Sequence, residues 1–165
     1  MIGVAGTGKT FLVEKMKGMK LNAIDADDDL ATLDADGNEL KYDVNGGAKW
    51  WKSHYYVLRL DKLEKLLRKC KTLYLFGDVG GRPGKKNGLV DVAQLFDRVC
   101  YLQAPMALTR LRLAQRTNNP FGKNPGEVEG VRKHKGKMDR IAKKMGFEVI
   151  NATLPADKII KIPTE

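Results

Sequence analysis

Residues 3–10, Gly3-Val4-Ala5-Gly6-Thr7-Gly8-Lys9-Thr10, match the spacing G-x-x-x-x-G-K-[ST] at every position. Each residue type has a chemical reason. Glycines let the backbone turn sharply and aim successive N–H groups inward, at phosphate oxygens. A helix that follows adds its positive amino end. Lys9 has the reach to meet β- and γ-phosphates, and the Thr10 hydroxyl is a Mg²⁺ ligand. Gly3, Val4, Ala5, Gly6, Thr7, Gly8, Lys9, Thr10 and Phe11 are therefore the candidate nucleotide-binding residues. Lys9 is also a catalytic candidate and Thr10 a metal candidate. The competing reading is a chance match in a glycine-rich turn. Only Met1 and Ile2 precede Gly3, so the expected strand before the loop is a stub. A late start, a fragment and a genuine stub are the three explanations, and only the last would put catalysis in doubt.

Other polar residues stand where they could complete such a site. Asp78 follows the apolar run 72–76 (TLYLF), and a carboxylate at a strand end can hold Mg²⁺ or a water on it. Asp25 and Asp27 follow the run 21–25 in IDADDD, where a carboxylate could orient a hydroxyl and accept its proton. Asp28 and Asp29 blur that register and could instead cap the next helix. Arg112 and Arg116 lie four apart in RLAQR and share a helix face, with Arg110 as a rival register. The competing readings are loop caps and solvated charge.

Together, in this order, the motifs resemble those of the small P-loop kinases, the superfamily of adenylate, shikimate and gluconate kinases. The resemblance runs over nearly the whole chain. It implies a parallel sheet in strand order 2-3-1-4-5, with ATP and Mg²⁺ at the carboxyl ends of the strands. It implies that Arg82, four residues after Asp78, grips an anionic acceptor, and that Gly80-Gly81 line the acceptor site. It gives Asp25 and Asp27 to Mg²⁺ and the acceptor hydroxyl, making them catalytic and substrate-binding candidates. Of the R-x-x-x-R pair, Arg112 would stack on adenine and Arg116 would contact phosphates in a catalytic role. Residues 117–126 would be a lid with Lys123 at its tip, and the segment NATLP ending at Pro155 would line the adenine pocket. The implied activity is transfer of the γ-phosphoryl group of ATP to a small acceptor: a nucleoside, a nucleotide or a hydroxyl-bearing metabolite.

The elements that must position these groups alternate between strand and helix, which predicts a single α/β domain over 1–165. Strands are expected at 1–4, 21–25, 72–76, 98–102 and 147–150. Helices are expected at 10–17, with Phe11, Leu12 and Met16 on its apolar face, and at 105–116, 127–144 and 156–161. Asp61 and Glu64 predict a capping box for a helix through Lys69, and 89–96 reads as a short helix. An acceptor-binding insertion is expected at about 28–60. Within it Asp36-Gly37 predicts a hairpin turn, and 49–56 (KWWKSHYY) predicts the start of a helical stretch. The calcium-loop reading of Asp34, Asp36 and Asp43 fails on register, because the first ligand would be Thr32. Trp50, Trp51, Tyr55 and Tyr56 are either a base-stacking cluster or a hydrophobic cover. His54 and His134 lack ligand company and are expected to be solvated or packed.

Composition bounds the rest. The 165 residues carry 30 Lys and Arg against 20 Asp and Glu, a net +10 that attracts polyanions: nucleic acid, or only the phosphates of a nucleotide. Much of that charge sits on the helix at 127–144, as a solvated face or a nucleic-acid footprint. No apolar run reaches the roughly 20 residues of a membrane span. Cys70 and Cys100 are too few for a disulfide scaffold, so a cytoplasmic setting is expected. Two rivals stand beside the small-acceptor kinase: a nucleic-acid-directed P-loop enzyme, and a non-catalytic nucleotide-binding protein.

Overall fold

The computed structural model describes residues 1–35, 38–40, 50, 52–78, 80–81, 84–86, 88–117 and 119–164. Helix α1 (Lys9–Gly18) is followed by β1 (Ala23–Asp25), the short α2 (Ala26–Asp29), β2 (Ala31–Ala35), β3 (Asn38–Leu40) and β4 (Tyr55–Leu58). Then come α3 (Leu60–Lys69), β5 (Tyr74–Phe76), a 3₁₀ turn (Val90–Leu95), β6 (Cys100–Gln103), α4 (Met106–Gln115), α5 (Pro125–Met145), β7 (Glu148–Asn151) and α6 (Ala156–Thr164). The chain is mixed α/β.

Two parallel strand pairs carry the centre. β1 pairs with β5, Ala23 opposite Tyr74 and Asp25 opposite Phe76. β6 pairs with β7, Cys100 opposite Glu148 and Gln103 opposite Asn151. Ile2 lies between the pairs, bridged in parallel to Gly77 and to Tyr101. Its N–H donates to the Cys100 carbonyl at 2.8 Å, and its carbonyl accepts from the Leu102 N–H at 2.7 Å. Parallel strands need long crossovers, which is why a helix follows most of them.

Side chains alternate across these strands, as a pleat requires. Leu75 and Tyr101 join a core with Leu30, Leu63, Leu113, Val131, Met138 and Ala142. Phe76, Cys100, Leu102 and Ile150 join a second with Leu12, Val13, Met16, Ile159 and Ile160. In α1 the buried face is thus Leu12, Val13 and Met16, while Phe11 is 59% exposed. The expectation that Phe11 packs with them is corrected. It is one residue, hence about 100° of helical turn, from Leu12.

Beside the parallel pairs, β2 is the middle strand of an antiparallel trio with β3 and β4. The expected hairpin is present, Ala35 facing Asn38, although its turn residues 36 and 37 lie outside the described residues. Tyr55 and Tyr56 are in a strand rather than the expected helical stretch, pairing with Asp34 and Leu33. Trp50 stacks instead on His54, with ring centroids 3.8 Å apart, and Trp51 lies outside the described residues. The expected capping box at Asp61 is replaced. The helix begins earlier, at Leu60, and Asp61 pairs with Arg59 at 3.0 Å. An apolar cavity of about 180 Å³, lined by Ile2, Leu75, Leu89, Phe96 and Val99 among others, lies at the amino ends of β5 and β6, away from the candidate site.

Candidate functional site

Residues 3–10 leave Ile2 and fold into a tight loop that ends as α1 begins. The Thr7 hydroxyl donates to the Val4 carbonyl at 2.9 Å, and the Thr7 N–H reaches the same oxygen at 3.3 Å. Gly6 (φ 83°) and Gly8 (φ 103°) take left-handed backbone. A Cβ on Gly6 would also come within 3.0 Å of Leu113 and Thr109, so only glycine fits. Among the described residues, the N–H groups of Ala5, Gly6 and Gly8 meet no acceptor. The first turn of α1 holds no acidic side chain. The loop that carries those donors leads directly into the positive amino end of α1.

Lys9 is 7% exposed. Its Nζ donates to the carbonyls of Gly3 at 2.5 Å and Val4 at 3.2 Å, inside the loop. A buried ammonium needs such oxygens. The neighbouring Thr10 hydroxyl donates to Asp25 Oδ2 at 3.1 Å.

Three carboxylates gather at the carboxyl ends of β1 and β5. Asp25, 6% exposed, ends β1 and caps α2: its Oδ1 accepts from the Asp27 N–H at 3.1 Å. Asp27 Oδ1 in turn accepts from the Asp78 N–H at 3.3 Å. This contact needs Gly77, because a Cβ there would come within 2.9 Å of Ala26. Asp78 Oδ1 lies 2.8 Å from His134 Nε2, on α5. Burial raises the Asp27 carboxyl from an ordinary 3.8 to about 7. The Lys9 charge opposes that shift, and the Asp78 and Asp25 charges add to it. Burial pushes His134 down, but the hydrogen bond and charge of Asp78 outweigh it and hold the imidazole above its usual value.

Arg112 reaches this site from α4. It donates from Nη1 to the Thr7 carbonyl at 2.8 Å and from Nη2 to the Ala152 carbonyl at 3.1 Å. It thereby ties the loop to the segment 152–155, whose Pro155 is exposed and starts the turn into α6. Arg116 faces elsewhere. Its Nη2 donates to the Phe121 carbonyl and to Asn119 Oδ1 at 3.4 Å, with the guanidinium 5.8 Å from the Phe121 ring centroid. Lys123, expected at a lid tip, donates to the carbonyls of Ala114 and of Arg116 (2.7 Å for the latter). The last carbonyls of a helix lack internal partners, and a lysine satisfies them well.

Lys9, Thr10, Asp25, Asp27, Asp78 and Arg112 are thus brought together with the loop glycines. Arg116 is bound to Asn119 and Phe121, and Lys123 to the end of α4, while residues 125–126 of the expected lid belong to α5. Phe11 points to solvent. Gly80 and Gly81 run against the backbone at Gly88, and Arg82 lies outside the described residues. His134 was not among the expected site residues. The signal for it is its place on the apolar stripe of α5, three residues after Val131 and four before Met138. Among the described residues, no three His, Cys, Asp or Glu side chains form a metal-holding group. No protein-family model matches the chain, and no curated protein matches it significantly.

Proposed function

We propose that this chain is a P-loop phosphotransferase that moves the γ-phosphoryl group of ATP to a hydroxyl of a small acceptor. The observation that carries the reading is the loop 3–10: open amides, left-handed Gly6 and Gly8, and a buried Lys9 ammonium that only backbone oxygens now hold. A triphosphate offers the charge that these donors lack. The fold reading agrees. Taking Ile2 as the first strand, the order β1, β5, Ile2, β6, β7 is 2-3-1-4-5, and the two cores support helices on both faces of one sheet in a three-layer P-loop fold.

The donor set suits Mg²⁺. Thr10 Oγ1 and the carboxylates of Asp25 and Asp78 are hard oxygens, and Mg²⁺ is commonly held by one or two carboxylates plus substrate phosphates. Bound there, the ion would neutralise charge on the phosphate oxygens. Lys9 and the loop amides would stabilise the charge that develops as the phosphoryl group moves. Asp25 is committed to Thr10 and to its own cap. Asp27 is therefore the better base: burial raises its carboxyl, so its carboxylate form draws a proton more strongly than an ordinary one. The acceptor oxygen bonds to the γ-phosphorus, the bridge to the β-phosphate breaks, and ADP leaves. Arg112 would brace the loop from below.

The test is calorimetry with Mg·ATP, followed by an acceptor screen read by ATP consumption. Wild-type protein should bind with measurable heat. Lys9→Ala should lose that heat and lose acceptor-dependent turnover by at least a hundredfold while staying folded. Well-folded wild-type protein that gives no heat with any magnesium–triphosphate complex would overturn the assignment.

A further inference from the structure

Helix α5 carries two kinds of face. Val131, Met138 and Ala142 are buried in the core, and His134 meets Asp78. The opposite side is exposed and basic. At 100° per residue, Lys133, Lys137, Arg140 and Lys144 fall within a sector of about 60°, in steps of about 6, 5 and 6 Å along the axis. All four are exposed. Towards the amino end the same sector holds Gly126, and Gly130 lies about 20° outside it, with no neighbour within reach of a side chain there. Glu129, about 20° outside the sector's edge, borders the row at its amino end.

Its charges are largely uncommitted. Lys133 lies 3.9 Å from Glu129, whose main partner is Arg132 at 2.6 Å. Arg140 donates to the Gly136 carbonyl. Among the described residues, Lys137 and Lys144 have no ion-pair partner. The row also adjoins the candidate site. Lys137 is one turn from His134, and the charges of Lys137 and Lys9 both act on that imidazole.

We infer that the exposed row Lys133–Lys137–Arg140–Lys144 binds the phosphodiester backbone of a single-stranded nucleic acid and leads it towards the carboxyl ends of the strands. A line of cations at near-regular spacing matches a line of phosphates. A single row neutralises one strand and leaves the second strand of a duplex unserved. Membrane binding is disfavoured because the apolar face of α5 is already buried in the core and cannot insert. No aromatic residue lies in the row, so recognition is through phosphate and tolerant of sequence. Binding along the row needs neither Lys9 nor a bound nucleotide.

The experiment is fluorescence anisotropy of a 12-nucleotide single strand, as DNA and as RNA, titrated with the full chain at several KCl concentrations. Each phosphate contact contributes about −0.7 to the slope of log K against log salt. Four contacts predict a slope of about −3. The variant K133Q/K137Q/R140Q/K144Q should flatten the slope towards zero and weaken binding more than tenfold at low salt. K62Q/K65Q/K69Q, which removes exposed charge from α3, should leave it within twofold. Lys9→Ala should keep strand binding. Loss of Mg·ATP heat without loss of strand binding thus separates this surface from the phosphoryl-transfer reading. Four outcomes overturn the inference: no effect of the α5 variant, an equal loss in the α3 variant, equal competition by polyglutamate, or row-dependent binding to phosphatidylserine vesicles. Tighter binding of a duplex of the same length would do so too.

Discussion

Asp27 is the residue whose chemistry depends most on its surroundings. Burial and two neighbouring carboxylates raise it to about 7, so the folded chain holds a proton that the unfolded chain releases near 3.8. The sign follows from linkage: a carboxyl raised on folding favours the folded state at low pH, and that contribution is lost as pH climbs from about 4 to about 7. Asp27→Asn cannot titrate. The Tm of wild type minus that of Asp27→Asn should therefore fall across this window, measured by thermal melts at matched ionic strength. A difference that stays flat, or rises, would contradict the placement of Asp27. At this scale the tight loop 3–10 was legible because its residue pattern is local: eight consecutive residues carry it. The pairing of His134 with Asp78 was not, because 56 residues separate them and only tertiary packing brings them together.

At the scale of elements, Glu127 decides how the loop before α5 is held. It is 3% exposed, and its Oε2 accepts from the Gly122 N–H at 2.8 Å and the Asn124 N–H at 3.3 Å. Removing it strands two amides at a helix start. Glu127→Ala should lower unfolding free energy by about 2 kcal/mol in urea titrations, and Glu127→Gln by less. A loss below about 0.5 kcal/mol would mean the carboxylate is dispensable. The long helices were readable from periodicity: α5 was expected at 127–144 and runs Pro125–Met145. β4 was misread because its aromatic residues follow a run with helix-compatible spacing. The partner that makes Tyr55–Leu58 a strand is β2, more than twenty residues earlier. Pairing of that kind is invisible to a local pattern.

For the molecule as a whole, Ile2 is the seam between the two parallel pairs. It is 4% exposed and bridged on both sides, bonding β6 itself while Met1 and Gly3 bond Gly77. Ile2→Ala should cost about 3 kcal/mol in denaturant unfolding. It should also speed hydrogen exchange at the Leu102 amide, whose acceptor is the Ile2 carbonyl. An unchanged midpoint would show that the two pairs stand independently. The α/β class was legible from alternation alone. The seam was legible in part: residues 1–4 were expected as a strand stub, and the pairing there is carried by Ile2 as two isolated bridges instead of a full strand. Arg112 has a consequence on the same scale. By clasping the carbonyls of Thr7 and Ala152 it fastens an early turn, a middle helix and a late turn into one rigid frame. A docking nucleotide would then meet a mouth already shaped. Stopped-flow traces of its arrival should show a single phase whose rate grows linearly with concentration, with no plateau from a slow rearrangement.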